Sequence, residues 1–280
     1  MVIRPPRNPY PSDLPENGST RQFGGKDFTK SVFTINNEKG EKLSCLFYQP
    51  KERSGEKMPV VVYMHGNAGC KLEAEELAPF LLPQGINLFA FDFSGCGQSE
   101  GEWVTLGWKE RKDLEAVLNY LNSLGTVSKI GLWGRSMGAA TSIMYTAENQ
   151  DKVHASVLDS GFASFIDIAN HLASNQFGIP PEFVQFLMAG VSQQIAQLTG
   201  GLNIIADLNP VKYAPRCKVP ALFVHGSDDD FVEMTHSEKN FEAYGGGSKD
   251  AMYCSGGHND ARPRETIEQM VGFMKKHLTA

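Results

Sequence analysis

From about residue 30 onward, short apolar runs bounded by glycine alternate with longer stretches of helical periodicity, the pattern of βα units around a mostly parallel sheet. The opening pair differs. Residues 31–35 and 42–48 are rich in β-branched and aromatic side chains and flank the turn-forming Asn36-Asn37-Glu38-Lys39-Gly40, which predicts an antiparallel hairpin. Six further runs follow at 60–64, 88–91, 130–133, 153–158, 221–224 and 251–254. Their near-continuous hydrophobicity predicts strands covered on both faces. With the hairpin they give an eight-stranded, mostly parallel sheet with helices on both faces.

Between the runs, Trp108, Leu114, Val117, Leu118 and Leu121 share one helical face while Lys109, Lys112 and Glu115 lie elsewhere, so residues 108–124 predict a packing helix. Residues 136–148 and 263–278 read as helices too, the second opening on a proline suited to a first turn. One interval breaks the rhythm. No strand-like run occurs between Ala163 and about Pro215, more chain than a βα unit needs. Phe183, Leu187, Val191, Ile195 and Leu198 recur at helical spacing after Pro180-Pro181, which predicts an amphipathic helix inside an insertion. That helix either packs on its own domain or forms a small helical cap over a cleft. The expected organisation is an N-terminal arm at 1–28, Pro/Gly-rich and polar, followed by one catalytic domain at 29–280 with the insertion at about 163–215.

Composition narrows the function classes. The chain has 280 residues, 41% apolar and 21% charged, enough to bury a core. With 26 Lys+Arg against 32 Asp+Glu the net charge is −6, so there is no basic field to hold nucleic acid or anionic lipid. Five cysteines, widely spaced and without a CxxC pair, suggest buried free thiols rather than disulfides or zinc ligands. Residues 1–13 lack the apolar core of a secretory signal, and no run approaches the ~18 apolar residues of a membrane span. The expectation is a cytoplasmic protein without a transmembrane segment.

Gly134-Arg135-Ser136-Met137-Gly138 matches G-x-S-x-G, a weak signal alone. Its setting strengthens it, because the motif follows an apolar run and opens a helical stretch, as a nucleophile elbow requires. A serine hydroxyl needs a base to take its proton and an acid to orient that base. In the order serine, acid, histidine, the base is expected after the last strand, and His258 stands there in Gly256-Gly257-His258-Asn259. The acid comes from Asp228-Asp229-Asp230 after the preceding strand; the H-G-x-x-D spacing selects Asp229, with Asp230 as runner-up. A metal site built on the three aspartates lacks a second ligand cluster, so neither metal nor cofactor is expected. His65-Gly66-Asn67-Ala68-Gly69 follows the run at 60–64, and the backbone N–H groups of Asn67 and Met137 are the expected oxyanion donors. Asp92-Phe93-Ser94-Gly95-Cys96-Gly97 is not a dinucleotide loop, since Glu100 replaces the third glycine.

On these residues, with Arg4-Pro5-Pro6-Arg7 and Leu132-Trp133 before the motif, the chain resembles α/β-hydrolases of the serine aminopeptidase-like and acyl-protein-thioesterase-like branch, found in plants and other eukaryotes. The resemblance covers roughly residues 30–278. It implies an α/β-hydrolase fold, a triad of Ser136, Asp229 and His258, donors at Asn67 and Met137, and no cofactor. The reaction it implies is cleavage of an ester, thioester or small amide of a small-molecule or acylated substrate; a peptidase, or a non-catalytic binding protein on the same fold, is the alternative. Membrane-associated depalmitoylases of this branch carry a cysteine-rich N-terminus, whereas the first cysteine here is Cys45.

Overall fold

Two successive glycines start the sheet. Gly24 and Gly25 both take positive φ, at 57° and 76°, the backbone of a two-residue hairpin turn. They pair β1 (Thr20–Phe23) with β2 (Lys26–Asn36). The computed structural model describes residues 5–7, 10, 18–52 and 55–280. β1 lies inside the stretch expected to be the arm, so the sheet has nine strands rather than eight. The rest of the arm that is described rests on the body: Arg7 donates to the carbonyls of Gly97, Ser99 and Gly101, and the Tyr10 hydroxyl meets Asp92. Arg4 and the other undescribed arm positions lie outside the described residues.

The next turn is the one predicted. Asn37 Oδ1 accepts from the N–H groups of Lys39 and Glu41 and closes the connection to β3 (Lys42–Pro50). After it come β4 (Met58–Met64), α1 (Ala78–Leu81), β5 (Asn87–Phe91), α2 (Glu110–Ser123), β6 (Val127–Arg135), α3 (Met137–Thr146) and β7 (Ala155–Asp159). The insertion supplies α4 (Phe165–Phe177) and α5 (Pro181–Thr199), and the chain returns through α6 (Pro210–Tyr213) to β8 (Ala221–Gly226), α7 (Met234–Ala243), β9 (Lys249–Cys254) and α8 (Arg264–Leu278). Across the sheet the order is β1-β2-β3-β5-β4-β6-β7-β8-β9, antiparallel as far as β5 and parallel beyond it.

Helices cover both faces. Leu114, Val117, Leu118 and Leu121 of α2 join Met137 and Ala140 of α3 in the core on one side. Met270, Val271, Met274 and Leu278 of α8 pack with Ala78 and Leu81 on the other. β5, β7 and β8 are buried throughout, as their apolar runs predict. β9 is not: it is the last strand of the order, pairs only with β8 among the described strands, and leaves Tyr253 48% exposed. In α5 the predicted stripe divides: Phe183 and Leu187 are exposed, whereas Ile195 is buried and Val191, Ile195 and Leu198 turn towards the cleft beside Ser136. All five cysteines are free. No helix among the described residues is long and apolar enough to cross a membrane.

Two buried titratable groups give the fold opposing responses to pH. Burial pushes the His236 imidazole of α7 down to about 4, although Asp167 pulls it upward. Its Nδ1 accepts from the N–H of Ala163, where the insertion begins. A base whose folded pKa is depressed stabilises the fold above its unfolded value near 6.5, and that stability is lost as pH falls towards 4, by up to ~3 kcal/mol. Asp113 of α2 has the reverse sign: burial raises it to about 6, so stability is lost as pH rises from about 4 to 6. In His236→Asn the amide oxygen can still accept from Ala163. The stability advantage of the natural protein over this variant, measured by urea unfolding, is expected to be greatest above pH 6.5 and to shrink by ~3 kcal/mol at pH 4. A difference independent of pH would contradict the assignment.

Candidate active site

Parallel strands deliver their C-terminal ends to one edge of the sheet, and the loops after β4, β6, β8 and β9 meet there. Ser136 stands between β6 and α3 with φ 51° and ψ −111°, a strained backbone for a residue with a side chain. Its N–H is tied to the Asp159 carbonyl at 2.8 Å, and its own carbonyl accepts from Ala140 at 3.0 Å. The flanking glycines are steric requirements. A Cβ on Gly134 would run into the backbone of Gly138, and one on Gly138 into the Met64 carbonyl at the end of β4.

Ser136, His258 and Asp229 come together from three separate loops. Asp229 Oδ2 lies 2.7 Å from His258 Nδ1, and His258 Nε2 lies 2.9 Å from Ser136 Oγ. The carboxylate can only accept, so Nδ1 carries the proton and Nε2 faces the serine hydroxyl as an acceptor. The neighbouring aspartates are turned to other tasks. Asp228 Oδ2 accepts from the Gly256 N–H at 3.0 Å, and Asp230 offers its backbone carbonyl to His171 at 3.2 Å. Thus of the three aspartates, Asp229 reaches the imidazole and the runner-up Asp230 does not. Among the described residues no three His, Cys, Asp or Glu side chains are grouped as metal ligands.

Burial of the Asp229 carboxyl pulls its pKa upward, yet hydrogen bonding to His225, His258 and the Val232 N–H holds it below the usual carboxylate range. Val232 and Phe231 donate to Oδ1 at 2.8 and 3.1 Å. His225, fully buried, is itself fixed: Nε2 lies 2.7 Å from the Val232 carbonyl and Nδ1 2.7 Å from Ser237 Oγ. Asp229 therefore stays ionised with its second oxygen aimed at His258.

Two arginines fasten the histidine loop. Arg135, the variable residue before the serine, donates from Nη2 to the carbonyls of His258 and Asp260 at 2.9 and 2.7 Å. Arg262 grips Asp159 at the end of β7 through Nε at 3.0 Å and Nη2 at 2.8 Å, and donates to Ser160 Oγ and the Gly257 carbonyl. Both partners of this pair are buried. Neither residue is legible as part of a site from sequence; the one local signal is the place of Arg135 inside the elbow motif. Arg262→Met leaves the Asp159 charge buried and alone, and is expected to cost about 3–5 kcal/mol in urea unfolding. Adding Asp159→Leu should return much of that loss; no recovery in the double variant would contradict a buried-charge origin.

The loop expected to carry the second oxyanion donor runs alongside the serine: a Cβ on Gly66 would sit 3.5 Å from Ser136 Cβ. His65 fixes its entry, with Nε2 accepting from the Phe93 N–H at 3.1 Å and Nδ1 2.7 Å from the Gly66 carbonyl. Asp92 fixes its exit by accepting from the Lys71 N–H at 2.7 Å and pairing with the buried Lys71 ammonium. The loop at 92–97 is thus a brace for the loop at 65–71.

Two cavities open at Ser136. One, about 630 Å3, is apolar and bordered by Met137, Phe165, Ile168, Met188, Ile195 and Leu198, so α4 and α5 of the insertion form much of its wall. The other, about 540 Å3, is the more polar of the two and is bordered by Glu73, Glu76, Arg135, His258 and Asn259 as well as Tyr63 and Phe231. Asn67, Ser136 and Phe231 line both. Phe231 also packs on the His258 ring, with centroids 5.1 Å apart.

The model of the alpha/beta hydrolase fold family matches residues 59–194, which contain the elbow and the Asn67 loop. The chain has the α/β-hydrolase fold. A second family model, of PhoPQ-activated pathogenicity-related proteins, matches residues 165–280. Among curated relatives, protein bem46 of Schizosaccharomyces pombe is 29% identical over 227 residues, spanning 80% of this chain and 69% of its own. Protein ABHD12B of Homo sapiens is 23% identical over 76% of this chain and 56% of its own. An esterase of Pyrococcus furiosus, Pf2001, has the same fold, with a TM-score of 0.72 at 23% identity over 99% of this chain and 97% of that one.

Proposed function

We propose that this chain is a serine hydrolase that cleaves a carboxylic ester, thioester or small amide through an acyl-enzyme on Ser136. The observation that carries the reading is the continuous hydrogen-bonded line from Asp229 through His258 to Ser136. Ser136 Oγ attacks the substrate carbonyl as His258 Nε2 takes its proton, and ionised Asp229 stabilises the imidazolium without itself being protonated. The oxyanion accepts from the N–H groups of Met137 and Asn67, interactions typically worth about 3 kcal/mol each in a dry site. His258 then protonates the leaving group, and a water activated by the same imidazole hydrolyses the acyl-serine. The esterase activity of the Pyrococcus relative agrees with this choice of substrate bond.

A shared acyl-enzyme has a signature in its products. With several esters of one acid and different alcohols, added hydroxylamine is expected to divide the products between hydroxamate and free acid in one constant ratio. A ratio that varies with the leaving alcohol would exclude a common intermediate.

A further inference from the structure

We propose that the two cavities divide the substrate between them, the apolar cavity receiving the acyl chain and the polar cavity the leaving group. The favoured substrates are then esters of a long apolar acid with a polar alcohol. The inference rests on the acyl-enzyme reading above and adds the direction in which the substrate lies.

That direction follows from where the proton must go. When the tetrahedral intermediate collapses, the bond to the leaving oxygen breaks, its electron pair leaves with that oxygen, and the oxygen takes the proton that His258 removed from Ser136. The leaving oxygen therefore lies on the imidazole's side of the carbon. His258 borders the polar cavity and not the apolar one. Met137, whose N–H faces the oxyanion in the proposed mechanism, borders the apolar cavity. With the oxyanion at Met137 and Asn67 and the leaving group at His258, the apolar cavity is left for the acyl substituent.

The walls suit this division. Phe165, Ile168, Met188 and Ile195 can take methylenes out of water, each worth about fourfold in kcat/KM while the cavity still has room. On the other side Glu73 is held rigidly, accepting from the Tyr63 hydroxyl at 2.9 Å and the Cys70 N–H at 3.1 Å, and Arg135 and Asn259 add further polar contacts. Among the described residues no carboxylate lines the apolar cavity, so the acyl side offers no ionic partner for a free amino terminus.

Ethyl octanoate and octyl acetate test the assignment because they are isomers, differing only in which side of the ester carries the long chain. The purified full chain is expected to hydrolyse ethyl octanoate with kcat/KM more than about tenfold above that for octyl acetate. Ala169→Trp, which puts an indole into the apolar cavity, should lower the ratio of ethyl octanoate to ethyl acetate turnover by about tenfold. If that variant does not fold, the comparison of isomers on the natural protein stands by itself. Equal rates, or a preference for octyl acetate, would overturn the assignment while leaving the serine mechanism intact. So would turnover of neither ester by protein whose Ser136 still reacts with a fluorophosphonate. Loss of that labelling as well would overturn the serine reading on which the assignment rests.

Discussion

Ser136→Ala is expected to lower kcat on p-nitrophenyl acetate by about four to six orders of magnitude, with little change in KM or thermal midpoint. The size follows from the role: once the nucleophile is gone, only positioning and the oxyanion donors remain. The small effect on stability follows from the elbow itself, since alanine keeps the Cβ that the strained backbone already accommodates and loses only a hydroxyl whose partner is His258. Steady-state rates on the two purified proteins check this. Activity within tenfold of the natural protein would remove Ser136 from the mechanism.

The second large effect belongs to the acid. Asp229→Asn keeps an oxygen for the N–H groups of Val232 and Phe231 but turns an N–H towards His258 Nδ1. The imidazole must then accept at Nδ1 and carry its proton on Nε2, where it cannot take one from Ser136. A wrong tautomer of this kind costs about 10^4 in kcat. Asp228→Asn and Asp230→Asn should stay within a few-fold of natural rates, because neither carboxylate touches the imidazole. Asp229→Asn also changes acid stability. A carboxylate whose folded pKa is depressed contributes stability above its unfolded value near 4 and loses it as pH falls further, so the variant's unfolding should respond less to pH below 4. Natural rates for Asp229→Asn, or a collapse confined to Asp230→Asn, would move the acid elsewhere.

The parts of the site readable in advance were those written in local geometry. The elbow needs glycine on both sides of Ser136 because Gly134, Gly138 and Met64 crowd the turn, and that demand leaves a pattern in five consecutive residues. His258 and Asp229 were readable because each follows a strand whose apolar run marks its end. Features that depend on distant partners left no such trace. The Arg262–Asp159 pair joins positions 103 residues apart, and the bracing of Asp229 by His225 exists only once the loop after β8 has folded back on that strand. β1 was hidden by its polar composition, although Gly24-Gly25 is a hairpin signal. In β9 the apolar run at 251–254 looked like a central strand, but only pairing shows that it ends the order. α5 carries apolar residues on more than one face: of the predicted stripe Phe183 and Leu187 are exposed, whereas Val191, Ile195 and Leu198 face the apolar cavity.

Covalent labelling tests the central claim most directly. Treated with a fluorophosphonate, digested and sequenced by mass spectrometry, the full chain is expected to carry one phosphonyl adduct per molecule, on Ser136, and Ser136→Ala to carry none. An adduct on another residue, or undiminished labelling of Ser136→Ala, would contradict the account.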